Sequence, residues 1–137
     1  MKKNIFIIIF LISIILNNSL QAQEKDDYLK LGLLIPLSGK NAVLGKSILF
    51  SIQMALEEIN DKKVIIIPKD IGNGDEKNLE KAIMEIKDLG LDAIIGPLRQ
   101  SNFKTAFKFK NLVFVSPSNF QSEIQNNVIS IGINLES

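Results

Sequence analysis

Residues 29–36 read Leu-Lys-Leu-Gly-Leu-Leu-Ile-Pro, a short and almost entirely apolar run that ends at a proline. A half-exposed strand alternates polar and apolar residues, so a run of this kind predicts a β-strand that is buried on both faces of a sheet. Leu37-Ser38-Gly39, directly after the proline, predicts a loop. The stretch therefore predicts the first strand of a parallel sheet, with a polar loop at its carboxyl end.

Helical patterns and apolar runs alternate along the rest of the chain. Residues 47–60 and 75–90 carry apolar side chains three or four positions apart, which predicts two amphipathic helices. Asp75 is the expected N-cap of the second helix and Gly90 its C-terminal stop. The two apolar stripes are Ile48, Ile52, Ala55, Leu56 and Ile59, and Leu79, Ala82, Ile83, Ile86 and Leu89. A third, shorter helix is predicted around Phe103, Ala106 and Phe107, and further strands at residues 64–67, 93–95, 112–115 and 128–131.

This alternation of strands and helices, joined by short links, predicts an α/β fold with one doubly wound parallel sheet and right-handed crossovers. The strand order expected for it is 2-1-3-4-5. Ligands of such sheets bind outside the carboxyl ends of the strands. The sequence contains no internal repeat and gives no sign of a second domain within these residues.

The amino-terminal segment has the layout of a secretory signal peptide, with a basic start at Met1-Lys2-Lys3, an apolar run over residues 5–16 and the small residue Ala22 before the expected cleavage point. The apolar run is shorter than the roughly 20 residues that span a bilayer. We expect residues 1–22 to be removed, residues 23–29 to form a short polar leader, and the protein to be periplasmic, meeting the membrane only through the signal peptide. An uncleaved amino-terminal anchor is the alternative, because Leu20 is bulky for its position before the cut.

Composition narrows the classes of function. The chain has 16 Lys and Arg residues against 15 Asp and Glu residues, interspersed along the sequence, so no surface for nucleic acid is expected. It has no cysteine and no histidine, which removes disulfides, thiolate nucleophiles and the residue type most used as general base and metal ligand. We therefore expect a non-catalytic protein without a metal or a cofactor.

Polar loops follow three of the predicted strands, at residues 36–45, 96–101 and 116–119. Each leads toward a helix start, where unpaired backbone N–H groups attract carboxylates and other anions. Turn and cap chemistry is the alternative explanation for any single loop, since Ser101 stands where an N-cap of the third helix is expected. The grouping of three such loops at one edge of one sheet favours a ligand-binding edge.

A possible phosphate-binding motif overlaps the first of these loops. Residues 39–47 resemble a P-loop, which needs four residues between its first glycine and the Gly-Lys-Ser/Thr group. Here five residues separate Gly39 from Gly45, which precedes Lys46-Ser47. The extra residue disrupts the ring of N–H groups that surrounds the phosphates, so nucleotide binding is not expected.

Charged residues offer weaker candidates. Asp70, Asp75 and Glu76 are possible carboxylates for acid–base chemistry or cation binding, although a helix cap explains Asp75 more simply. Arg99 is the only arginine, and it is either a partner for an anionic ligand or a solvated surface residue. None of these residues comes with a second group that would define a reaction.

The opening stretch resembles the start of leucine-binding-type periplasmic proteins, in which a strand runs into a Pro-Leu-Ser/Thr-Gly loop. The match extends from Lys30 to Asn134, and further motifs follow in the order found in that family. They are Gly45, Glu58-Ile59-Asn60, Asp70, Ile95-Gly96-Pro97-Leu98 and Val115-Ser116-Pro117-Ser118. The resemblance implies a type I periplasmic binding protein, whose two α/β lobes close on a small polar ligand such as an amino acid and deliver it to an ABC transporter permease.

The resemblance also implies which residues contact a ligand. In the family, the loops after the third and fourth strands grip the carboxylate and the ammonium group of an amino acid. The ligand-binding residues implied for this chain are Ser38, Gly39, Ser101, Ser116, Ser118 and Asn119. The sequence departs from the family at Phe120, where threonine is common.

Penicillin-binding-protein activators, which regulate cell-wall synthesis through protein contacts, share the expected fold and similar opening motifs. The loop at residues 116–119 suits them equally well, and they are the alternative; they are commonly lipoproteins, whereas this chain has no cysteine. Binding proteins of the leucine type cross to a second lobe after a sheet of this size, about where residues 134–137 lie. We therefore expect residues 30–137 to form a truncated first lobe, a fragment that carries one wall of a ligand cleft.

Overall fold

A computed structural model describes residues 28–118 and 125–132 of the chain. Strands and helices alternate along these residues, and two 3-10 turns, at Gly39–Asn41 and Gln100–Asn102, each lie between a strand and the helix that follows it. The elements are β1 (Leu29–Ile35), α1 (Ala42–Ile59), β2 (Val64–Asp70), α2 (Glu76–Ile86), β3 (Ala93–Ile95), α3 (Phe103–Ala106), β4 (Phe114–Ser116) and β5 (Val128–Ser130). The predicted signal peptide, Asn119 and Phe120 lie outside the described residues.

The five strands form one parallel sheet in the order β2-β1-β3-β4-β5, which confirms the predicted fold class and strand order. β1 lies between β2 and β3. It pairs with β2 along its whole length, from Leu29 opposite Val64 to Ile35 opposite Asp70, and with β3 from Leu31 to Leu33. All strands run in one direction, so their carboxyl ends meet at one edge of the sheet. We call this edge the rim.

One face of the sheet is covered by α2 and α3. The side chains buried there share one cluster, with Leu34 of β1, Ile94 of β3 and Phe114 of β4 beneath the helices. The helical members are Leu79, Ala82, Ile83, Ile86, Phe103 and Ala106. These residues include four of the five predicted for the stripe of α2, and Leu89, the fifth, is 47% exposed because the helix ends at Ile86.

The opposite face meets α1. Leu33 and Ile35 alternate with Leu34 and therefore point to this face, where both are fully buried and where α1 contacts β1. Of the predicted stripe of α1, Ile48, Ile52 and Leu56 are half-buried, whereas Ala55 and Ile59 are exposed. No helix among the described residues is long and apolar enough to cross a membrane.

Several element boundaries differ from the prediction, and α2 ends at Ile86, four positions before Gly90, its predicted stop. α1 begins at Ala42, five positions before the predicted start, because its first turn continues directly from the 3-10 turn. β2 runs through Pro68 to Asp70; β2 is an edge strand, where the missing N–H of a proline removes no bond to a neighbour. β4 covers Phe114–Ser116, so Ser116 belongs to the strand and not to the loop after it.

Candidate functional site

The structure places five of the six predicted ligand-binding residues on the rim. Ser38 and Gly39 follow β1, Ser101 lies in the 3-10 turn after β3, and Ser116 and Ser118 stand at and just beyond the end of β4. Asn119 lies outside the described residues. These residues bring four hydroxyl groups to the rim, one after β1, one after β3 and two at the end of β4.

Ser38 is held by the carboxylate of Asp70 at the end of β2. The Oδ1 atom of Asp70 accepts hydrogen bonds from the backbone N–H groups of Leu37 at 2.8 Å, Ser38 at 3.2 Å and Gly72 at 2.8 Å. One carboxylate oxygen thus joins the loop after β1 to the loop after β2. The predicted carboxylate is a structural clamp of the rim.

These bonds change the acidity of Asp70. Partial burial acts to raise the pKa of Asp70, but hydrogen bonds from the Ser38 side chain and from the backbone of Gly72, Leu37 and Ser38 lower it further than burial raises it. The pKa of Asp70 therefore lies below its ordinary value of 3.8. The group is a carboxylate at neutral pH, which suits a hydrogen-bond acceptor and not a general acid.

Gly39 is fitted against Asn73 of the loop after β2. Its φ of +73° is in the left-handed region, and a Cβ atom built on it would lie 2.3 Å from Asn73 Oδ1. That oxygen accepts a hydrogen bond from the N–H of Lys40 at 3.1 Å. Asn73 is a rim residue that the sequence analysis did not single out, and the Gly39 position depends on it.

Ser116 and Ser118 form a hydrogen-bonded pair at the end of β4. Their Oγ atoms are 2.7 Å apart, and the N–H of Ser118 donates to Ser116 Oγ at 3.1 Å. Ser116 is fully buried, and Ser118 is half-buried. Ser130, at the end of β5, donates from its Oγ to the carbonyl of Ser118 at 2.9 Å. Sequence reasoning missed Ser130, whose place beside Ser116 follows from the register of β4 and β5.

Ser101 is exposed and does not cap the helix that follows it, so the capping explanation for this residue is wrong. It lies inside the 3-10 turn, and Asn102 takes the N-cap position of α3 without a side-chain cap bond. The hydroxyl of Ser101 donates to Asn102 Oδ1 at 3.5 Å. Within the described part of the chain, the hydroxyl of Ser101 is therefore held only by this long hydrogen bond, on an exposed residue.

The predicted residues form two groups rather than one. Ser116 and Ser118 contact each other, whereas Ser38 contacts Asp70 at the other side of the sheet. β3 lies between β1 and β4, so about 10 Å separates those two strands. Ser101, on the β3 loop, lies between the two groups.

Asp75 and Gly45, which belonged to alternative motifs in the sequence, have structural roles. Asp75 Oδ1 accepts a hydrogen bond from the N–H of Asn78 at 3.0 Å, which confirms it as the N-cap of α2. Gly45 lies inside α1 and not in a phosphate-binding loop. Within residues 28–118 and 125–132, no group of three or more acidic side chains is close enough to hold a metal ion.

No protein-family model matches the sequence, and no curated protein sequence is detectably similar to it. Solved structures are similar in fold. They include the leucine binding protein LivK of Thermotoga maritima (TM-score 0.64, 18% identity) and the branched-chain amino acid binding protein LivJ of Streptococcus pneumoniae in complex with isoleucine (TM-score 0.62, 20% identity). LpoA of Haemophilus influenzae is also similar, with a TM-score of 0.61 and 19% identity. The fold is that of part of a type I periplasmic binding protein.

The coverage of these matches shows how much of each similar protein this chain spans. The likeness covers 75% of this chain but only 32% of LivK and 33% of LivJ, and it covers 77% of this chain and 19% of LpoA. The chain therefore spans about a third of the length of the two binding proteins. At these identities the likeness establishes a common fold and nothing beyond it.

Proposed function

We propose that the chain is one lobe of an exported, non-catalytic solute-binding protein that takes a small polar ligand such as an amino acid and serves an ABC transporter permease in the periplasm. The observation that carries this proposal is the alignment of hydroxyl-bearing loops along one rim of a parallel sheet. Sheets of this kind bind ligands outside the carboxyl ends of their strands. The similar structure of LivJ is in complex with isoleucine, which agrees with the proposal.

In the proposed complex, the loops after β3 and β4 receive the ligand. Ser101 offers an exposed hydroxyl, and Ser118 is half-buried with its hydroxyl next to Ser116. A hydroxyl that both donates and accepts can bind either the carboxylate or the ammonium group of an amino acid. Asn119 completes the set as the next residue of the same loop, and Ser38 and Gly39 border it from the β1 side.

A single lobe gives only one wall of the cleft. A ligand site normally buries most of the ligand surface, so we expect the 137-residue chain to bind leucine no more tightly than millimolar. Nuclear magnetic resonance titration with leucine is the direct test, because it detects millimolar binding and assigns it to residues. The proposal expects saturable shifts at Ser101, Ser116 and Ser118; shifts confined to other parts of the sheet refute it.

Serine variants sharpen the test. Ser101→Ala and Ser118→Ala are expected to weaken leucine binding several-fold, because each removes a hydroxyl from the rim. Ser51→Ala is the matched control: the hydroxyl of Ser51 bonds to the carbonyl of Ser47 within α1, away from the rim. Equal loss in all three variants contradicts the proposed site.

One observation favours the second function, regulation of cell-wall synthesis through protein contacts. The hydroxyls of Ser116 and Ser118 already share a hydrogen bond of 2.7 Å, and a ligand that takes up both groups must compete with it. A pull-down with the same full chain and a peptidoglycan synthase distinguishes the two functions. Retention of the synthase without any small ligand supports the regulator, and its absence together with rim shifts from leucine supports the binding protein.

A further inference from the structure

The outer face of α1 carries apolar side chains that the described residues leave exposed. Gly45, which lies against the carbonyl group of Pro36, marks the side of the helix that faces the sheet. At about 100° of rotation per residue, Val43, Phe50 and Met54 point in the opposite direction. They are 79%, 62% and 55% exposed. α1 therefore has one side on the sheet and a second apolar side toward the solvent.

The residues of this outer face form a regular seam, which consists of Val43, Ser47, Phe50 and Met54. Their spacing of four, three and four positions is the spacing with which two helices pack along each other. Because α2 and α3 cover the other face of the sheet, no helix of residues 28–118 and 125–132 obstructs the approach of a second helix along α1. The seam is therefore accessible along its whole length.

The charges of α1 favour an antiparallel neighbour. Lys40 and Lys46 lie at its amino-terminal end, and Glu57 and Glu58 near its carboxyl-terminal end. All four are exposed, and none forms an ion pair within the described part of the chain. This placement is unfavourable for a single helix, because the amino-terminal end is the positive end of its dipole. An antiparallel helix of the same sequence offsets the cost, since its acidic end lies beside the basic end of the first.

We propose that the outer face of α1 is the interface of a homodimer, in which the α1 helices of two copies pack antiparallel about a two-fold axis. The axis lies beside the midpoint between Ser47 and Phe50, so that Phe50 of each copy packs over the small side chain of the partner's Ser47. Val43 contacts the partner's Met54, and Lys40 lies level with the partner's Glu57. Each contact occurs twice, as a two-fold interface requires.

The apolar area of the seam sets the strength expected for this dimer. Val43, Phe50, Met54 and the neighbouring Leu44 each offer on the order of 100 Å² to a partner. The two copies together then bury roughly 800 Å² of apolar surface, less than the total of about 1,200–2,000 Å² in stable complexes. We therefore expect a weak dimer, with a dissociation constant on the order of 100 μM. The charges at the helix ends determine the direction of pairing more than its strength.

Sedimentation of the full chain over a range of concentrations tests the proposal. We expect reversible dimers, and we expect Phe50→Ala to weaken the association about tenfold, because it removes the largest side chain of the seam. Met84→Ala is the matched control, since it removes an exposed apolar side chain from α2, on the other face of the sheet. Equal losses in the two variants overturn the proposal. A chain that stays monomeric up to about 1 mM also overturns it and leaves the face to a different protein.

Single cysteines test the direction of pairing, because the chain has no cysteine of its own. Ser47→Cys lies close to the two-fold axis, so we expect oxidised glutathione to convert this variant into a disulfide-linked dimer. Met54→Cys is the matched control, because its two copies lie about 16 Å apart along antiparallel helices, too far for a disulfide.

Met54→Cys should therefore form no dimer alone but cross-link to Val43→Cys in a mixture of the two variants. A disulfide-linked dimer of Met54→Cys alone indicates a parallel pair and overturns the proposal. These measurements need no leucine, so their outcome is independent of the proposed amino-acid site.

Discussion

The carboxylate of Asp70 accepts a hydrogen bond from the backbone N–H of Leu37 at 2.8 Å, across 33 positions of sequence. Asp70 is the last residue of β2, and Leu37 lies just after the neighbouring strand β1. The same oxygen also accepts hydrogen bonds from the backbone N–H groups of Ser38 and Gly72. The side chain of Asp70 thus joins the loop after β1 to the loop after β2, beside the second link that Asn73 makes to Lys40.

Removal of this carboxylate is expected to loosen the rim. Asp70→Ala leaves the N–H groups of Leu37, Ser38 and Gly72 without their acceptor. We expect the free energy of unfolding to fall by about 1–2 kcal/mol. This loss is smaller than for a fully buried carboxylate, because water reaches these groups in part. Urea denaturation measures the change. Asp88→Ala, at an exposed carboxylate with no hydrogen bond among the described residues, is the control and is expected to have little effect. Equal losses for both variants would contradict the clamp.

The same group makes stability depend on pH. Because hydrogen bonds hold the pKa of Asp70 below 3.8 in the folded chain, its stabilising contribution is complete above that value and is lost as the pH falls through the lower folded pKa. The stability difference between the wild type and Asp70→Asn should therefore be constant above about pH 5 and shrink below about pH 4. Urea denaturation at several pH values tests this. A stability difference that grows on acidification would contradict a lowered pKa of Asp70 in the folded chain.

Gly45 is expected to reject even a methyl group. In an exposed helix Gly→Ala stabilises by about 1 kcal/mol, but a Cβ atom at Gly45 would lie 1.9 Å from the carbonyl oxygen of Pro36. We expect Gly45→Ala to destabilise the fold by about 1–3 kcal/mol because α1 has to move away from the loop after β1. Ala55→Gly, at an exposed position of the same helix, reports the propensity alone. A gain in stability from Gly45→Ala would contradict a close contact between Gly45 of α1 and the carbonyl group of Pro36.

Ser116→Ala tests whether the β4 hydroxyl is structural. The hydroxyl is fully buried and bonds to both the N–H and the Oγ of Ser118, so its loss is expected to cost about 1–2 kcal/mol. Thermal or urea unfolding gives the value. The Ser51→Ala control removes a hydroxyl from an exposed helical position and should change stability by less than about 0.5 kcal/mol. A neutral Ser116→Ala would free this residue for a purely ligand-binding role.

The sheet and its order were predictable because they depend on local signals that agree with one another. The apolar run of β1, the cap at Asp75 and the stripe of α2 each specify one element, and a parallel sheet with short connections leaves few topologies. The start of α1 was not predictable from its stripe, since Val43 and Leu44 are apolar but 79% and 55% exposed. A helical period is visible in a sequence only where the exposed residues are polar and the buried ones apolar. Exposed apolar residues therefore hide the start of α1.

The candidate site was predictable only as far as single loops. Ser38, Ser101 and Ser118 follow strand ends, and Ser116 is the last residue of β4. The sequence marks these strand ends with proline, glycine or serine. Ser130 and Asn73 were missed because their roles come from register and from loop-to-loop contact. Asn102 was missed for a similar reason: a local sequence does not reveal that one atom of its amide is buried without a partner.

Pro68 has a consequence for how the folded chain behaves at high concentration. β2 is an edge strand of the sheet, and Pro68 within it has no backbone N–H group that could donate a hydrogen bond to a further strand. A second molecule that tried to extend the sheet there would lose a hydrogen bond at the middle of the new ladder, beside the charges of Lys69 and Asp70. Intermolecular strand pairing, the first step toward fibrils, is thereby disfavoured along this side of the protein.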